Sequence, residues 1–312
     1  VVEPGEGAET RHGCRMRAIN QILCPVDLSD VTNHTLNHAT VLARWYGSKV
    51  TLLHVANPIA IPVVDYAMVG AGIIPRPLTD DERASAVRDV LSCASAPDVS
   101  YADIVVQSGS PSQRILDCAR SLPADLVVIG THGISGFVHL VLGSVTEKVL
   151  RQATCPVMTV PPRARSTSTL PFKRILCPVD FSEPSLAALE FAFSLAHEGD
   201  ADLTVMHVFE WPDQPLTDRP IQIPEYRREL EHDAIVRLES LVPQDERDRC
   251  RPAARMAYGK PYRKILGAAV EDRADLIVMG VHGRNALDLM LFGSTTNQVV
   301  RRATCPVLTL RK

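Results

Sequence analysis

The chain alternates short apolar runs with longer segments in which apolar residues recur every three or four positions. In the first half, five apolar runs predict buried strands: QILCPV, KVTLLHV, ADIVVQS, DLVVIG and PVMTV. Between the first two runs, Leu36, Ala39, Leu42 and Ala43 repeat at helical spacing. Alternating strands and helices are typical of βαβ units, in which helices cover both faces of a parallel sheet. The pattern therefore predicts an α/β, doubly wound, Rossmann-like fold.

Local signals mark the starts of the later helices. Thr79 and Glu82 form a capping box, and Ser110 followed by Pro111 supplies an N-cap and a first helical residue. A last helix is predicted over about 144–152, just before the final strand.

The whole pattern occurs twice. ILCPVDLSD at 22–30 returns as ILCPVDFSE at 175–183, and ADLVVIGTHG at 124–133 returns as ADLIVMGVHG at 274–283. A repeat of this length indicates a duplicated domain rather than a solenoid unit. Between the copies, PPRARSTSTLPF has no apolar period and is typical of a linker. We expect a disordered leader at 1–17, a first domain at 18–160, a linker at 161–172 and a second domain at 173–312.

Composition narrows the classes of function. Of 312 residues, 46% are hydrophobic and 22% are charged, and the net charge is −3. This balance is typical of soluble globular domains and offers no basic surface to a nucleic acid. Proline, aspartate and glycine interrupt the apolar stretch at 59–74, so no membrane-spanning segment is expected. The eight cysteines form no CxxC pair and the start of the chain resembles no secretory signal, which favours free thiols and a cytoplasmic location.

Candidate ligand-binding residues follow the strands, because open parallel sheets bind ligands beyond the carboxyl ends of their strands. The first strand of each half ends in Cys-Pro-Val-Asp, with Asp27 in one copy and Asp180 in the other. A carboxylate at this place can accept hydrogen bonds from a ribose hydroxyl. The alternative is that each aspartate caps the following helix or starts a turn.

The fourth strand of each half leads into a glycine motif of identical spacing, G-x2-G-x9-G-S. The Gly-Ser pair directly precedes a helix, where free N–H groups and the helix dipole favour a phosphate. The alternative is a glycine-rich turn with a serine N-cap. Arg284 adjoins the motif in the second half where Ile134 stands in the first, so the second copy is expected to attract phosphate more strongly, while Asp288 in the same loop works against this.

Histidines also lie near these strand ends, at His54, His132, His207 and His282. No metal-ligand spacing such as HxH or HExxH accompanies them, so structural or hydrogen-bonding roles are favoured over a metal site. No nucleophile motif such as G-x-S-x-G is present. We therefore expect neither catalytic residues nor a resident metal.

Taken together, these motifs resemble the universal stress protein family in its tandem, two-domain form. The matching segments are ILCPVDxS, the LLHV-type second strand, and the glycine motif followed by a helix and TCPVxTV. The resemblance implies the ATP-binding branch of that family, with ATP, alone or with Mg²⁺, as the ligand. It also implies two five-stranded parallel sheets, each of strand order 3-2-1-4-5.

The resemblance further implies which residues contact the nucleotide. Asp27 and Asp180 would hold the ribose, and Val55 and Val208 would flank the adenine. The residues implied around the ribose and phosphates are Gly130, Gly133, Gly143, Ser144, Val145, Gly280, Gly283, Arg284, Gly293, Ser294 and Thr295.

The last strand of each half is a predicted interface. Members of the family often dimerise through this strand, so PVMTV and PVLTL are expected to pair antiparallel within the chain as a pseudo-dimer. Such pairing would cover two exposed sheet edges. A further homodimer of two chains stays open.

The segment at 57–78 is longer and more apolar than most connections. It either folds over the first nucleotide site, forms an interface patch, or packs on its own domain.

Three functions compete. The first is an adenine-nucleotide-binding regulator of the stress response, favoured because no catalytic base is evident beyond the binding motif. The second is a slow ATPase, and the third is a structural or chaperone-like stress protein without a ligand.

Overall fold

The computed structural model describes residues 19–29, 32–56, 59–64, 71–76, 79–93, 101–131, 142–162, 164, 172–210, 223–242, 252–282 and 292–311. The predicted leader at 1–17 and most of the linker lie outside these residues, as do His132, Gly133, Gly283 and Arg284.

The first half alternates strands and helices in the predicted order, with one added hairpin. The elements are β1 (Gln21–Val26), α1 (Thr32–Tyr46), β2 (Lys49–Ala56), β3 (Ile59–Val64), β4 (Ala71–Arg76), α2 (Asp80–Cys93), β5 (Tyr101–Ser108), α3 (Pro111–Ser121), β6 (Leu126–Gly130), α4 (Ser144–Gln152) and β7 (Val157–Val160). The capping box at the start of α2 is confirmed. The Thr79 N–H donates to the Glu82 carboxylate at 2.8 Å, and the Glu82 N–H donates to the Thr79 hydroxyl at 3.3 Å.

The second half repeats this order without a described counterpart of the hairpin. Its elements are β8 (Arg174–Pro178), α5 (Glu183–Gly199), β9 (Asp202–Phe209), α6 (Ile223–Ser240), β10 (Ala253–Tyr258), α7 (Pro261–Glu271), β11 (Leu276–Gly280), α8 (Ser294–Arg302) and β12 (Val307–Leu310).

Ten of the described strands form one sheet, in the order β10-β9-β8-β11-β12-β7-β6-β1-β2-β5. In this sheet the described pairings within each half are parallel, and the strands of each half follow the order 3-2-1-4-5. The predicted Rossmann-like fold and strand order are therefore confirmed.

The two halves join edge to edge through β7 and β12, which pair antiparallel. Thr159 lies opposite Val307, and Thr309 lies opposite Val157. The Thr159 hydroxyl donates to the Val307 carbonyl at 3.2 Å, and the Thr309 hydroxyl donates to the Val157 carbonyl at 3.1 Å. The predicted pairing of the last strands within the chain is confirmed, and each strand covers the edge that the other would expose.

Apolar side chains pack on both faces of this sheet because successive residues of a strand point to opposite sides. In β1, Cys24 packs into the core that also holds Leu36 of α1, whereas Leu23 packs into the core that holds Val149 of α4. Helices α1, α2, α5 and α6 cover the first face, and α3, α4, α7 and α8 cover the second. Both cores continue from one half into the other.

A polar contact also links the halves at the ends of α1 and α5. The Tyr46 phenol donates a hydrogen bond to the Glu198 carboxylate. Burial, this hydrogen bond and the charge of Glu198 together raise the pKa of Tyr46. The Ser194 hydroxyl donates to the same carboxylate at 3.3 Å.

The segment at 57–78 contains the hairpin of β3 and β4, which pair antiparallel as a separate two-stranded sheet. Ile61 lies opposite Ile74 in this pairing. None of the described helices combines the length and apolar content needed to cross a membrane.

Candidate functional site

The candidate residues gather where the strand order reverses in each half. β1 lies between β2 and β6, so the crossovers that leave β1 and β6 run in opposite directions along the sheet. Asp27 follows the end of β1, and Gly130 ends the neighbouring β6. In the second half, Asp180 and Gly280 stand in the same relation on β8 and β11.

Each aspartate holds the turn that leads into the next helix. In the first half, the Asp27 Oδ1 accepts from the Ser29 N–H at 3.1 Å, the Ser29 hydroxyl at 2.6 Å and the Thr32 hydroxyl at 2.9 Å. In the second half, the Asp180 Oδ1 accepts from the Ser182 N–H at 3.1 Å and the Ser182 hydroxyl at 2.5 Å. These bonds fix the direction in which each carboxylate points at the sheet edge.

The turn places a bulky residue in the left-handed region directly after each aspartate. Leu28 has φ 62° and Phe181 has φ 65°. Large side chains rarely adopt this conformation, which costs roughly 1–2 kcal/mol. The hydrogen bonds to the aspartate hold the strained residue in place. Strain kept at matching positions in both halves marks this turn as a functional candidate.

The helices after the glycine motif begin without a side-chain cap. Gly143 is the N-cap of α4 and Gly293 is the N-cap of α8, and neither helix has a side-chain hydrogen bond at its cap. Ser144 and Ser294 are instead the first helical residues, and both are exposed. The alternative of a serine N-cap is therefore wrong. Among the described residues, no side chain caps the first-turn N–H groups of either helix, so an external acceptor could bind there.

Two hydrogen bonds tie α4 to the end of β6. The Gly143 N–H donates to the Thr131 carbonyl at 2.9 Å, and the buried Thr146 hydroxyl donates to the Gly130 carbonyl at 2.8 Å. The start of the helix is thereby held over the strand end. The second half repeats both bonds through Gly293, Val281, Thr296 and Gly280, at 3.1 and 2.9 Å.

These threonines were not predicted from the sequence. Each comes three residues after the glycine of the Gly-Ser pair, as GSVT in one half and GSTT in the other. The repeat therefore pointed to these threonines, because both copies have a threonine at this position.

Close backbone packing explains three of the motif's glycines. A Cβ on Gly143 would lie 3.3 Å from the Thr131 carbonyl oxygen, and one on Gly293 would lie 3.0 Å from that of Val281. A Cβ on Gly280 would lie 2.9 Å from the backbone of Pro184, in the first turn of α5. Gly280 therefore lets a neighbouring helix approach the strand end.

The two valines expected at the adenine lie on the same face of the sheet as α4 and α8. Val55 and Val208 are partly buried and pack against the core that these helices cover. Val145 in the first turn of α4 packs against the same core. Each half thus brings an apolar strand end and an uncapped helix start to one face.

Hydrogen bonds give structural roles to two of the histidines that the structure describes near the strand ends. The His54 Nδ1 donates to the Val26 carbonyl at 3.0 Å, and the His207 Nδ1 donates to the Val179 carbonyl at 2.7 Å. Each bond ties the second strand of a half to the end of its first strand. In the described ranges, no three His, Cys, Asp or Glu side chains cluster as metal ligands would.

The described cysteines are free thiols with little nucleophilic character. Burial raises the pKa of Cys24 from 9.0 to about 12, and burial is also the main cause that raises the pKa of Cys305 to about 12. Thiols with such pKa values stay protonated near neutral pH and are poor nucleophiles.

The comparison with known proteins agrees with this architecture. The profile of the universal stress protein family matches residues 18–161 and 171–311. The chain belongs to the universal stress protein family. A universal stress protein of Mycolicibacterium smegmatis is 28% identical over 297 residues, which are 93% of this chain and 96% of that protein.

Two further universal stress proteins show how the family matches the chain. One from Thermus aquaticus is 35% identical over 144 residues, which are 45% of this chain and 99% of that protein. A crystal structure of one from Archaeoglobus fulgidus superposes with a TM-score of 0.62 at 23% identity, covering 93% of this chain and 98% of the other. The protein from Thermus aquaticus corresponds in length to about half of this chain, and the structure from Archaeoglobus fulgidus shares the fold across nearly all of it.

Proposed function

We propose that each half of this universal stress protein binds an adenine nucleotide, ATP, and that the chain acts as a nucleotide-binding regulator of the stress response. The proposal is carried by the N-termini of α4 and α8. In both halves the N-cap of this helix is a glycine without a side-chain cap, and a hydrogen bond ties the helix to the end of the neighbouring strand. Free N–H groups and the helix dipole attract phosphate at such a place.

We assign the remaining roles from the resemblance of both halves to the family's nucleotide-binding motif. Asp27 and Asp180 hold the ribose from the neighbouring strand, and Val55 and Val208 flank the adenine on the apolar side. The residues that we assign to the ribose and phosphates are Gly130, Gly133, Gly143, Ser144, Val145, Gly280, Gly283, Arg284, Gly293, Ser294 and Thr295. Mg²⁺, when present, supplies charge that offsets the phosphates. The buried free thiols fit a reducing cytoplasm.

A charge placed at the helix start tests the proposal. Aspartate is favourable in the first turn of a helix, so Ser144→Asp and Ser294→Asp keep the fold while repelling a phosphate. We expect each substitution to weaken ATP binding at its own site at least about tenfold, which corresponds to about 1.4 kcal/mol. Ser85→Asp, at an exposed position in α2, is the matched control and should bind like the wild type.

Isothermal titration calorimetry with ATP, with and without Mg²⁺, measures these affinities. Because one solved universal stress protein was determined in complex with cAMP, the titration includes cAMP. Absence of nucleotide binding in the wild type would overturn the proposal in favour of a structural role. Phosphate release that disappears in the Ser144→Asp/Ser294→Asp double variant would identify an ATPase instead of a passive binder.

A further inference from the structure

A chain of side chains in contact runs along the carboxyl edge of the second half. The Arg237 guanidinium of α6 lies over the Phe181 ring, 4.3 Å from its centroid. Phe181 contacts His207 at 4.6 Å between ring centroids, and His207 meets Phe209 edge-on at 5.1 Å. Phe209 in turn stacks on Tyr258 at 6.1 Å, with the two rings only 9° apart in orientation. We call these five residues the ring stack.

The ring stack holds both residues that flank Asp180. Phe181 follows Asp180 directly and carries the positive φ of the turn, and its side chain contacts both Arg237 and His207. Val179 precedes Asp180, and its carbonyl accepts the hydrogen bond from the His207 Nδ1 at 2.7 Å. Helix α6 and strand β9 therefore restrain the backbone on both sides of this carboxylate.

The first half has the same turn but not the same rings. Leu28 stands in the place of Phe181, and Ala56 and Ser108 face each other across β2 and β5 as Phe209 and Tyr258 do across β9 and β10. His54 keeps the hydrogen bond to the end of β1 but is only partly buried.

The missing rings of the first half change the exposure of the histidine that both halves share, His54 in the first and His207 in the second. His207 is 6% exposed beneath its two phenylalanine neighbours, so the hydrogen bond that it donates to the Val179 carbonyl is shielded from water. A shielded hydrogen bond in a low-dielectric environment is stronger than one that competes with solvent. The ring stack thus shields from water the hydrogen bond that restrains the backbone before Asp180, whereas in the first half the Asp27 carboxylate itself accepts a further bond from the Thr32 hydroxyl.

We propose that the ring stack makes the second site the tighter of the two adenine-nucleotide sites, with Phe181 and Arg237 as positioning residues for Asp180. The inference rests on the proposed function above. A carboxylate that is already oriented loses less conformational freedom when a ribose binds, and preorganisation of this kind appears as affinity. The contribution of two restrained side chains corresponds to about tenfold in the dissociation constant.

The test measures one site at a time in the full chain. Ser144→Asp weakens the first site and Ser294→Asp weakens the second, so two-site fits to the titrations of both variants and of the parent chain assign one affinity to each site. We expect the second site to bind ATP about tenfold more tightly than the first. Phe181→Leu, which copies the first half, and Arg237→Ala should each remove most of that difference. Arg228→Ala, at an exposed position on the same helix α6, is the matched control and should change nothing.

A second ligand separates positioning from a general loss of structure. ATP and 2′,3′-dideoxy-ATP differ only in the ribose hydroxyls that Asp180 would hold. Phe181→Leu should weaken ATP at the second site and leave dideoxy-ATP nearly unchanged, whereas a misfolded domain would lose both ligands together. In the Phe181→Leu variant that keeps Ser144 and Ser294, an unchanged ATP affinity at the first site shows that the protein is folded.

Three results would count against the inference. They are equal affinities of the two sites in the parent chain, an ATP affinity unaffected by Phe181→Leu, or parallel losses of ATP and dideoxy-ATP. Each of these results requires that the wild type binds nucleotide. Failure of the proposed function is a different result, in which neither site binds nucleotide.

Discussion

The hydroxyl of Thr159 donates to the carbonyl of Val307 across the junction of the two halves, from a position that is completely buried. Thr309 returns the same bond to Val157. Each threonine therefore contributes more than a β-branched shape, because its hydroxyl adds a hydrogen bond to those that the two backbones form with each other. The shape of valine matches threonine, so the contribution of the two hydroxyls can be measured directly.

Replacing both junction threonines by valine should lower the free energy of unfolding. Each substitution removes one buried hydrogen bond, and we expect a loss of about 1 kcal/mol for each. Urea unfolding followed by circular dichroism measures the change. A double variant as stable as the wild type would show that the hydroxyls contribute nothing to the junction.

The threonines that tie the helix starts to the strand ends should affect both stability and ligand binding. Thr146→Val and Thr296→Val each remove a buried hydrogen bond, at a cost of about 1 kcal/mol, and loosen the helix start that we assign to phosphate. We expect weaker ATP binding at the altered site in calorimetry. Thr154→Val and Thr304→Val, at exposed positions after the same helices, are the controls and should leave both quantities unchanged.

Two glycines of the second half should respond in opposite directions to alanine. Gly280→Ala forces a Cβ to within 2.9 Å of the Pro184 backbone, so we expect a loss of about 1–3 kcal/mol. Gly267 lies inside α7, and a Cβ added there would meet no atom within 4 Å, so Gly267→Ala should stabilise the chain by about 0.5–1 kcal/mol. Thermal unfolding of the two variants measures both effects, and a shift of the same sign in each would contradict this account.

Stability should fall at alkaline pH because buried thiols resist ionisation. The pKa of Cys24 is raised from 9.0 to about 12, so its contribution is complete below pH 9 and is lost as the pH rises toward 12. In that window the unfolded chain ionises first, and each such thiol adds a slope of about 1.4 kcal/mol per pH unit. Urea unfolding at pH 7, 9 and 10 should show a shallower decline for Cys24→Ala than for the wild type. Equal slopes in the two proteins would rule out this thiol as a source of the pH dependence.

The sequence predicted the architecture well because the architecture depends on features that repeat along the chain. Apolar runs separated by helical periods predicted the alternating strands and helices, and the resemblance to the family implied the junction of β7 with β12 through PVMTV and PVLTL. The capping box at Thr79 was also recognisable because its two partners are only three residues apart.

The site was harder to predict because its details depend on backbone geometry and on contacts between distant segments. Gly143 rather than Ser144 occupies the N-cap, and only the three-dimensional path of the loop decides between them. The ring stack joins Phe181 to Arg237 and Tyr258, which lie far apart in the sequence and carry no local motif.

The antiparallel pairing of β7 with β12 also decides how the chain meets its surroundings. Since the strands of one half run against those of the other, the two carboxyl edges open at opposite ends of the sheet. One ligand molecule cannot bridge both carboxyl edges. Two proteins that each bound one edge would approach the sheet from opposite directions. The chain therefore presents its two candidate sites at opposite ends of one continuous sheet, facing away from each other.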